Sequence, residues 1–166
     1  STRKESSAAS DVYKRQMSSN HEKFLRQAVN LAKDNKTRGG RPFGAVLAVG
    51  GESIAIGVNN IVHSNDPTTH AEMEAIRVAS QKLGRPNLKG SVIYASGHPC
   101  PMCLAAMLLT GVDEVYYAFD NNDAAPYGLS SEAVYQKLGV TLQPQPLPLT
   151  RLDVGVTAAQ LYGGEA

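Results

Sequence analysis

Two short stretches place metal-binding residue types at ligand spacing: His70-Ala71-Glu72 and Pro99-Cys100-Pro101-Met102-Cys103. The chain has two cysteines, and both fall in the second stretch. His70, Cys100 and Cys103 make three ligands, one short of a closed structural zinc site, so a fourth position stays open to water. A water held there has its pKa brought down from ~15.7 to about 7. Two thiolates neutralise much of the metal's charge and weaken that effect. A carboxylate able to take the water's proton is therefore needed, and Glu72 is placed for it. The expected cofactor is one Zn2+ per chain.

Each residue also has a plainer reading. Thr69-x-x-Glu72 fits a capping box, which would make Glu72 a helix-start device. Cys100-Pro-Met-Cys103 by itself fits a thioredoxin-like dithiol, although that leaves His70 and Glu72 without a role. A closed structural zinc would need a fourth ligand, for which His98 is the candidate. His21 and His63 read as solvated.

The two stretches must then be carried on elements that bring them together. His70 and Glu72 are two apart, on nearly opposite sides of a regular helix. They can share a site only beyond a helix N-terminus, and Asp66-Pro67-Thr68-Thr69 supplies such a start. Pro101 suits the first position of a second helix, with Cys100 and Cys103 at i,i+3 spacing on one face. Two helix N-termini facing one metal would favour thiolates there.

Periodicity predicts helices over 21–35, 69–83, 101–109, 131–138 and 157–162, and strands over 43–49, 53–59, 91–96 and 114–119. Gly50-Gly51 reads as a hairpin turn, 59–67 as a polar loop and 141–149 as an extended, three-proline segment suited to a sheet edge. Strands alternating with helices after an initial hairpin imply an α/β fold, with a mixed sheet covered on both faces in three layers. Residues 1–16, rich in Ser, Lys, Arg and Ala without apolar period, read as a disordered or non-native leader, and 17–166 as a single domain.

Apolar content of 42% and a formal net charge of +1 describe an ordinary globular domain without a strongly basic surface, so nucleic acid is an unexpected partner. No apolar run approaches the ~20 residues that span a bilayer, and no secretory leader is seen, so a cytoplasmic location is expected.

His-x-Glu followed by Pro-Cys-x-x-Cys resembles the zinc deaminases that act on nucleobases. Pro42-Phe43-Gly44-Ala45, Asn59-Asn60, Ser64-Asn65-Asp66-Pro67-Thr68 and Asn122-Asp123-Ala124-Ala125 extend the resemblance to the cytidine-deaminase-like superfamily, in its guanine deaminase and nucleoside deaminase branch. The resemblance implies a five-stranded α/β/α sandwich, catalytic zinc on His70, Cys100 and Cys103, Glu72 as proton carrier, and a homodimer. It also implies that Asn59 hydrogen-bonds the base, that Phe43 and His70 pack against the ring and that Ala71 offers backbone polar groups. The implied reaction is hydrolytic deamination of a small aminated heterocycle, first of all guanine to xanthine. Nucleosides, cytosine and amino-triazines are the alternatives, as is an adenosine in tRNA. Two features depart from the guanine enzymes. His98 stands where Glu often precedes Pro-Cys. Ser130 and Ser131 occupy the place of a base-binding acid, which leaves Glu132 and Asp123 as the acidic candidates. Tyr162 is the candidate cover for the pocket.

Overall fold

Burial at Phe24, Leu25, Ala28, Val29 and Ala32 follows the helical period, and these residues lie on the long first helix α1 (Thr2–Thr37). A computed structural model describes residues 2–143 and 145–165, with side chains from residue 8. The helix starts well before the expected 21. It runs from Thr2 through the segment expected as a leader, while Ser1 lies outside the described residues. The leader's Ser, Ala and Lys are compatible with helix, and propagation from an already packed segment adds one hydrogen bond per residue. Residues 8–19 are nevertheless exposed, consistent with their lack of apolar period.

Strands β1 (Gly44–Val49) and β2 (Glu52–Val58) form the antiparallel hairpin over Gly50-Gly51, whose φ values of 59° and 80° favour glycine. After the single-turn helix α2 (Ile61–Ser64) come α3 (Ala71–Leu83), β3 (Ser91–Gly97), α4 (Pro101–Thr110) and β4 (Glu114–Phe119). Then follow α5 (Asn121–Ala124), a 3-10 turn (Ala125–Tyr127), α6 (Glu132–Leu138), β5 (Leu149–Arg151) and α7 (Ala158–Tyr162). The sheet order is β2-β1-β3-β4-β5. β1 is antiparallel to both neighbours, while β3/β4 and β4/β5 are parallel.

Alternation along the strands separates two cores. Ala45, Leu47, Ile93 and Ala95 face one side with Ala71, Ala75 and Ala79 of α3 and Leu104 and Met107 of α4. Val46, Ala48 and Tyr94 face the other with Phe24, Leu25 and Ala28 of α1 and Leu161 and Tyr162 of α7. The result is the expected three-layer α/β/α sandwich on a five-stranded mixed sheet. Among the described residues no helix is long and apolar enough to cross a membrane.

Two local expectations change, and one short helix lies where no element was predicted. The loop over 59–67 contains α2, started by the Asn59 Oδ1, which accepts the Ile61 N–H at 3.1 Å. The segment Asn121–Ala124 is helical because Asp120 and Asp123 form a reciprocal capping box. The extended 141–149 segment pairs only from Leu149, although the Pro148 carbonyl already accepts the Val115 N–H at 2.9 Å. Prolines lack the N–H that a ladder needs, which delays the strand; Pro144 lies outside the described residues.

Gly57 sets how closely α3 approaches the sheet. A Cβ there would stand 2.2 Å from the Ala71 carbonyl oxygen and 2.7 Å from the Ala75 nitrogen, both backbone atoms. Gly57→Ala therefore has to push the start of α3 off β2. Its expected effect is destabilisation by about 3 kcal/mol, the upper end of the overpacking range, read as a lower urea midpoint at unchanged slope.

Candidate metal centre and cavity

His70 and Cys100 occupy equivalent places at the starts of two helices. His70 is the N-cap of α3 (φ −70°, ψ 156°) and Cys100 the N-cap of α4 (φ −70°, ψ 167°), neither making a side-chain cap bond. Pro101 takes the first turn of α4, where its missing N–H leaves no helical bond unmade. The cap side chains are thus free to point past the helix ends, toward each other. Cys103 follows one turn into α4, fully buried.

The three donors form a compact triangle. His70 Nδ1 is 3.4 Å from Cys100 Sγ and 3.6 Å from Cys103 Sγ, and the two sulfurs are 3.6 Å apart. In a tetrahedral zinc site with Zn–S near 2.3 Å and Zn–N near 2.0 Å, neighbouring donors stand about 3.5–3.8 Å apart. The triangle therefore fits one face of such a tetrahedron, and imidazole with two thiolates is a donor set zinc accepts. Among the described residues only these three side chains form such a group.

The electrostatics favour a cation here. A hydrogen bond from Cys103 holds the Cys100 thiol down to about 4, with further help from His70. The same bond pushes Cys103 up, as does its burial. The bond to Cys100 raises His70. Glu72, 7% exposed, is pushed up to about 7, first by burial and then by the nearby Cys100 charge. Its position two residues after the N-cap, beside the Cys103 sulfur, rules out the capping box. Thr69 is not the cap; its hydroxyl donates to the Asp66 carbonyl at 2.7 Å.

The Cys100 turn is braced from α6 and β4. The Tyr135 hydroxyl donates to the carbonyl of buried Pro99. His98 Nδ1 lies 3.0 Å from the same oxygen, and the rings of Tyr117 and Tyr135 meet His98 edge-on at 5.0 and 5.6 Å. His98 borders the cavity but stands outside the donor triangle, so it does not close the metal site.

A cavity of about 380 Å³ opens over this centre. Phe43, Asn59, His70 and Glu72 line it together with Gly97, Met102, Ser130, Ser131 and Val134. The Oδ1 of buried Asn59 is taken by the Ile61 N–H, which leaves its NH2 as a donor. Ser130 and Ser131 are held by Asn121, whose Oδ1 accepts the Ser131 N–H at 2.8 Å and the Ser130 hydroxyl at 3.2 Å.

Three expected contacts fall elsewhere, and one backbone group is turned aside. Glu132 does not line the cavity: Ser131 and Val134 share a helical face at i,i+3, and Glu132 is turned about 100° from it. The Asp123 carboxylate accepts the Asp120 N–H at 3.0 Å and pairs with Arg151 at 2.7 Å. Tyr162 is 6% exposed, among Phe43, Phe119 and Tyr127, and belongs to the core behind the site. The carbonyl of Ala71 is directed at Gly57. Arg41, Asn35 and Asn121 are the contributors that periodicity and spacing did not reveal. Of these only Arg41 carries a visible signal, a charge set between the Gly39-Gly40 turn and Pro42.

Comparison with known proteins follows the same lines. Residues 18–119 match the family model for the cytidine and deoxycytidylate deaminase zinc-binding region. The chain is 42% identical over 136 residues to a guanine deaminase of Bacillus subtilis, spanning 81% of this chain and 87% of that one. The crystal structure of guanine deaminase from Bacillus subtilis superposes with a TM-score of 0.70 at 40% identity, over 81% of this chain and 87% of that one. A tRNA-specific adenosine deaminase of Bacillus subtilis is 38% identical over 100 residues, 60% of this chain and 62% of the relative.

Proposed function

Because this chain belongs to the cytidine and deoxycytidylate deaminase zinc-binding family, we propose that it hydrolyses the amino group from a small aminated nucleobase, guanine first, yielding xanthine and ammonia. The observation that carries this reading is the triangle of His70, Cys100 and Cys103, with buried Glu72 beside it, at the floor of a cavity large enough for a purine. The 42% identity to a guanine deaminase supports guanine over pyrimidines.

His70, Cys100 and Cys103 would hold the zinc ion, which would supply a water made nucleophilic at neutral pH. Glu72 takes a proton from the attacking water as its oxygen adds to C2 of guanine and passes that proton to the adjacent ring nitrogen. The carboxylate then takes the remaining proton from the new C2 hydroxyl and delivers it to the amine, so the C–N bond breaks, ammonia leaves and the 2-oxo product remains. Burial serves Glu72 here, since a carboxyl poised near neutrality can both accept and return a proton. Phe43 packs against the ring, and the Asn59 NH2 donates to a ring acceptor. Ala71 and Tyr162 act from behind, as backbone at the head of α3 and as core support for Phe43.

The working unit is a homodimer. Leu109, 88% exposed, lies two turns beyond the cavity residue Met102 on one face of α4, and exposed Val134 and Leu138 extend apolar surface along α6. The partners are water and the heterocycle, in the cytoplasm. A net charge of +1 favours a free base over tRNA.

Ammonia release from guanine, guanosine, isoguanine, adenine, cytosine, amino-triazines and a tRNA stem-loop tests the reading. Guanine is expected to give the highest kcat/KM. Activity confined to pyrimidines, or to the stem-loop, overturns the assignment.

A further inference from the structure

Arg41 borders the mouth of the cavity and is exposed, whereas the only carboxylate lining that cavity is Glu72, buried at its floor. No ion pair or side-chain hydrogen bond engages the Arg41 guanidinium among the described residues. Its backbone, by contrast, is firmly held. The Asn35 Nδ2 donates to the Arg41 carbonyl at 2.7 Å and to the Asn59 carbonyl at 2.8 Å. The Phe43 N–H donates to the Arg41 carbonyl at 2.8 Å as well. One buried amide at the end of α1 thus sets the spacing of two cavity residues. Gly40 is required for this arrangement, since a Cβ there would come within 2.6 Å of Asn35 Nδ2. The Asn59 Oδ1 already accepts the Ile61 N–H, and beside it this wall presents the donors of the Asn59 NH2 and the five N–H groups of Arg41.

We propose that Arg41 is a specificity-determining residue, its guanidinium reading the purine edge that carries O6 and N7. This inference rests on the guanine reading of the site. When C2 and its amine face the His70, Cys100 and Cys103 end, C5 lies across the ring, with O6 and N7 on either side of it. That edge then points outward, to the level of the cavity at which exposed Arg41 stands. O6 and N7 are neighbouring acceptors, and the planar fork of arginine pairs with both at once. Adenine offers a donor at C6 and repels the same group. A donor wall at the mouth thereby selects a 6-oxo purine without the base-binding acid whose place Ser130 and Ser131 have taken.

The test is equilibrium binding by calorimetry in the zinc-loaded Glu72→Gln protein, where turnover does not interfere. The probes are guanine, 7-deazaguanine (no N7) and 2-aminopurine (no O6). Guanine is expected to bind about 5- to 150-fold more tightly than either analogue. Adding Arg41→Ala should erase that difference by weakening guanine more than either analogue, and Arg41→Lys, a point charge without the fork, should restore only part of it. Equal binding of the three probes, or an equal loss for all three with Arg41→Ala, overturns the inference. So does a selective loss of guanosine monophosphate binding, which would assign Arg41 to a phosphate. If wild-type protein releases no ammonia from guanine, the proposed function itself fails. If it does, and its preference is indifferent to Arg41, only this inference fails.

Discussion

Replacing Glu72 by glutamine is expected to leave a folded, zinc-loaded protein whose ammonia release from guanine is slower by about 10³-fold or more. A positioned acid or base contributes about 10²–10⁴-fold to a proton transfer, and here the same carboxyl serves water, ring nitrogen and leaving group in turn. Glutamine keeps the shape and loses only the capacity to exchange a proton. The fold should not suffer, because the side chain is 7% exposed and burial disfavours its charged form. The thermal midpoint is thus expected to be unchanged or higher, and zinc content by mass spectrometry unchanged. Activity within tenfold of wild type would remove Glu72 from the reaction. Loss of zinc would instead make it a support for the metal centre.

The second large effect is expected at Cys103. Serine in its place puts a neutral hydroxyl where a thiolate is needed, at a position with no exposure to solvent through which water could substitute. The triangle of 3.4, 3.6 and 3.6 Å then has two strong donors left. Zinc content should fall from one per chain to near zero and deamination should be lost. Stability supplies an independent check. A ligand that binds only the folded state stabilises it by mass action, so a chelator should lower the melting temperature of wild type. It should leave that of Cys103→Ser unchanged. A variant that keeps one zinc and responds to the chelator like wild type would show that the metal is held without this sulfur.

Both predictions concern residues whose grouping was legible before any fold was known, and the reason is local. A His or Cys at a helix N-cap points its side chain past the end of the helix whatever the helix packs against, and Pro101 and Asp66-Pro67 mark those ends in the sequence. The hairpin and the central strands were legible for a related reason: an alternating or continuous apolar run has few ways to be buried. The start of α1, the one-turn helices α2 and α5 and the late entry of β5 were not, because each depends on a cap or on a missing N–H outside any periodic run. The capping-box reading of Glu72 failed by one position, since α3 is capped at His70 and not at Thr69.

By itself the sequence determined the chemistry available: three metal donors, one carboxyl and two helix starts to carry them, in an α/β chain of alternating elements. Which groups line the cavity was decided by tertiary structure. Glu132 is turned away because Ser131 and Val134 take the cavity face of their helix, Asp123 is spent on Arg151 and the Asp120 N–H, and Tyr162 is absorbed into the core. Arg41 and Asn59, far apart in sequence, share a wall because Asn35 bonds both of their carbonyls. Ligand spacing is a property of neighbouring residues and survives without the fold. The orientation of a side chain toward a cavity depends on hydrogen bonds and packing between distant segments, and only the folded chain supplies those.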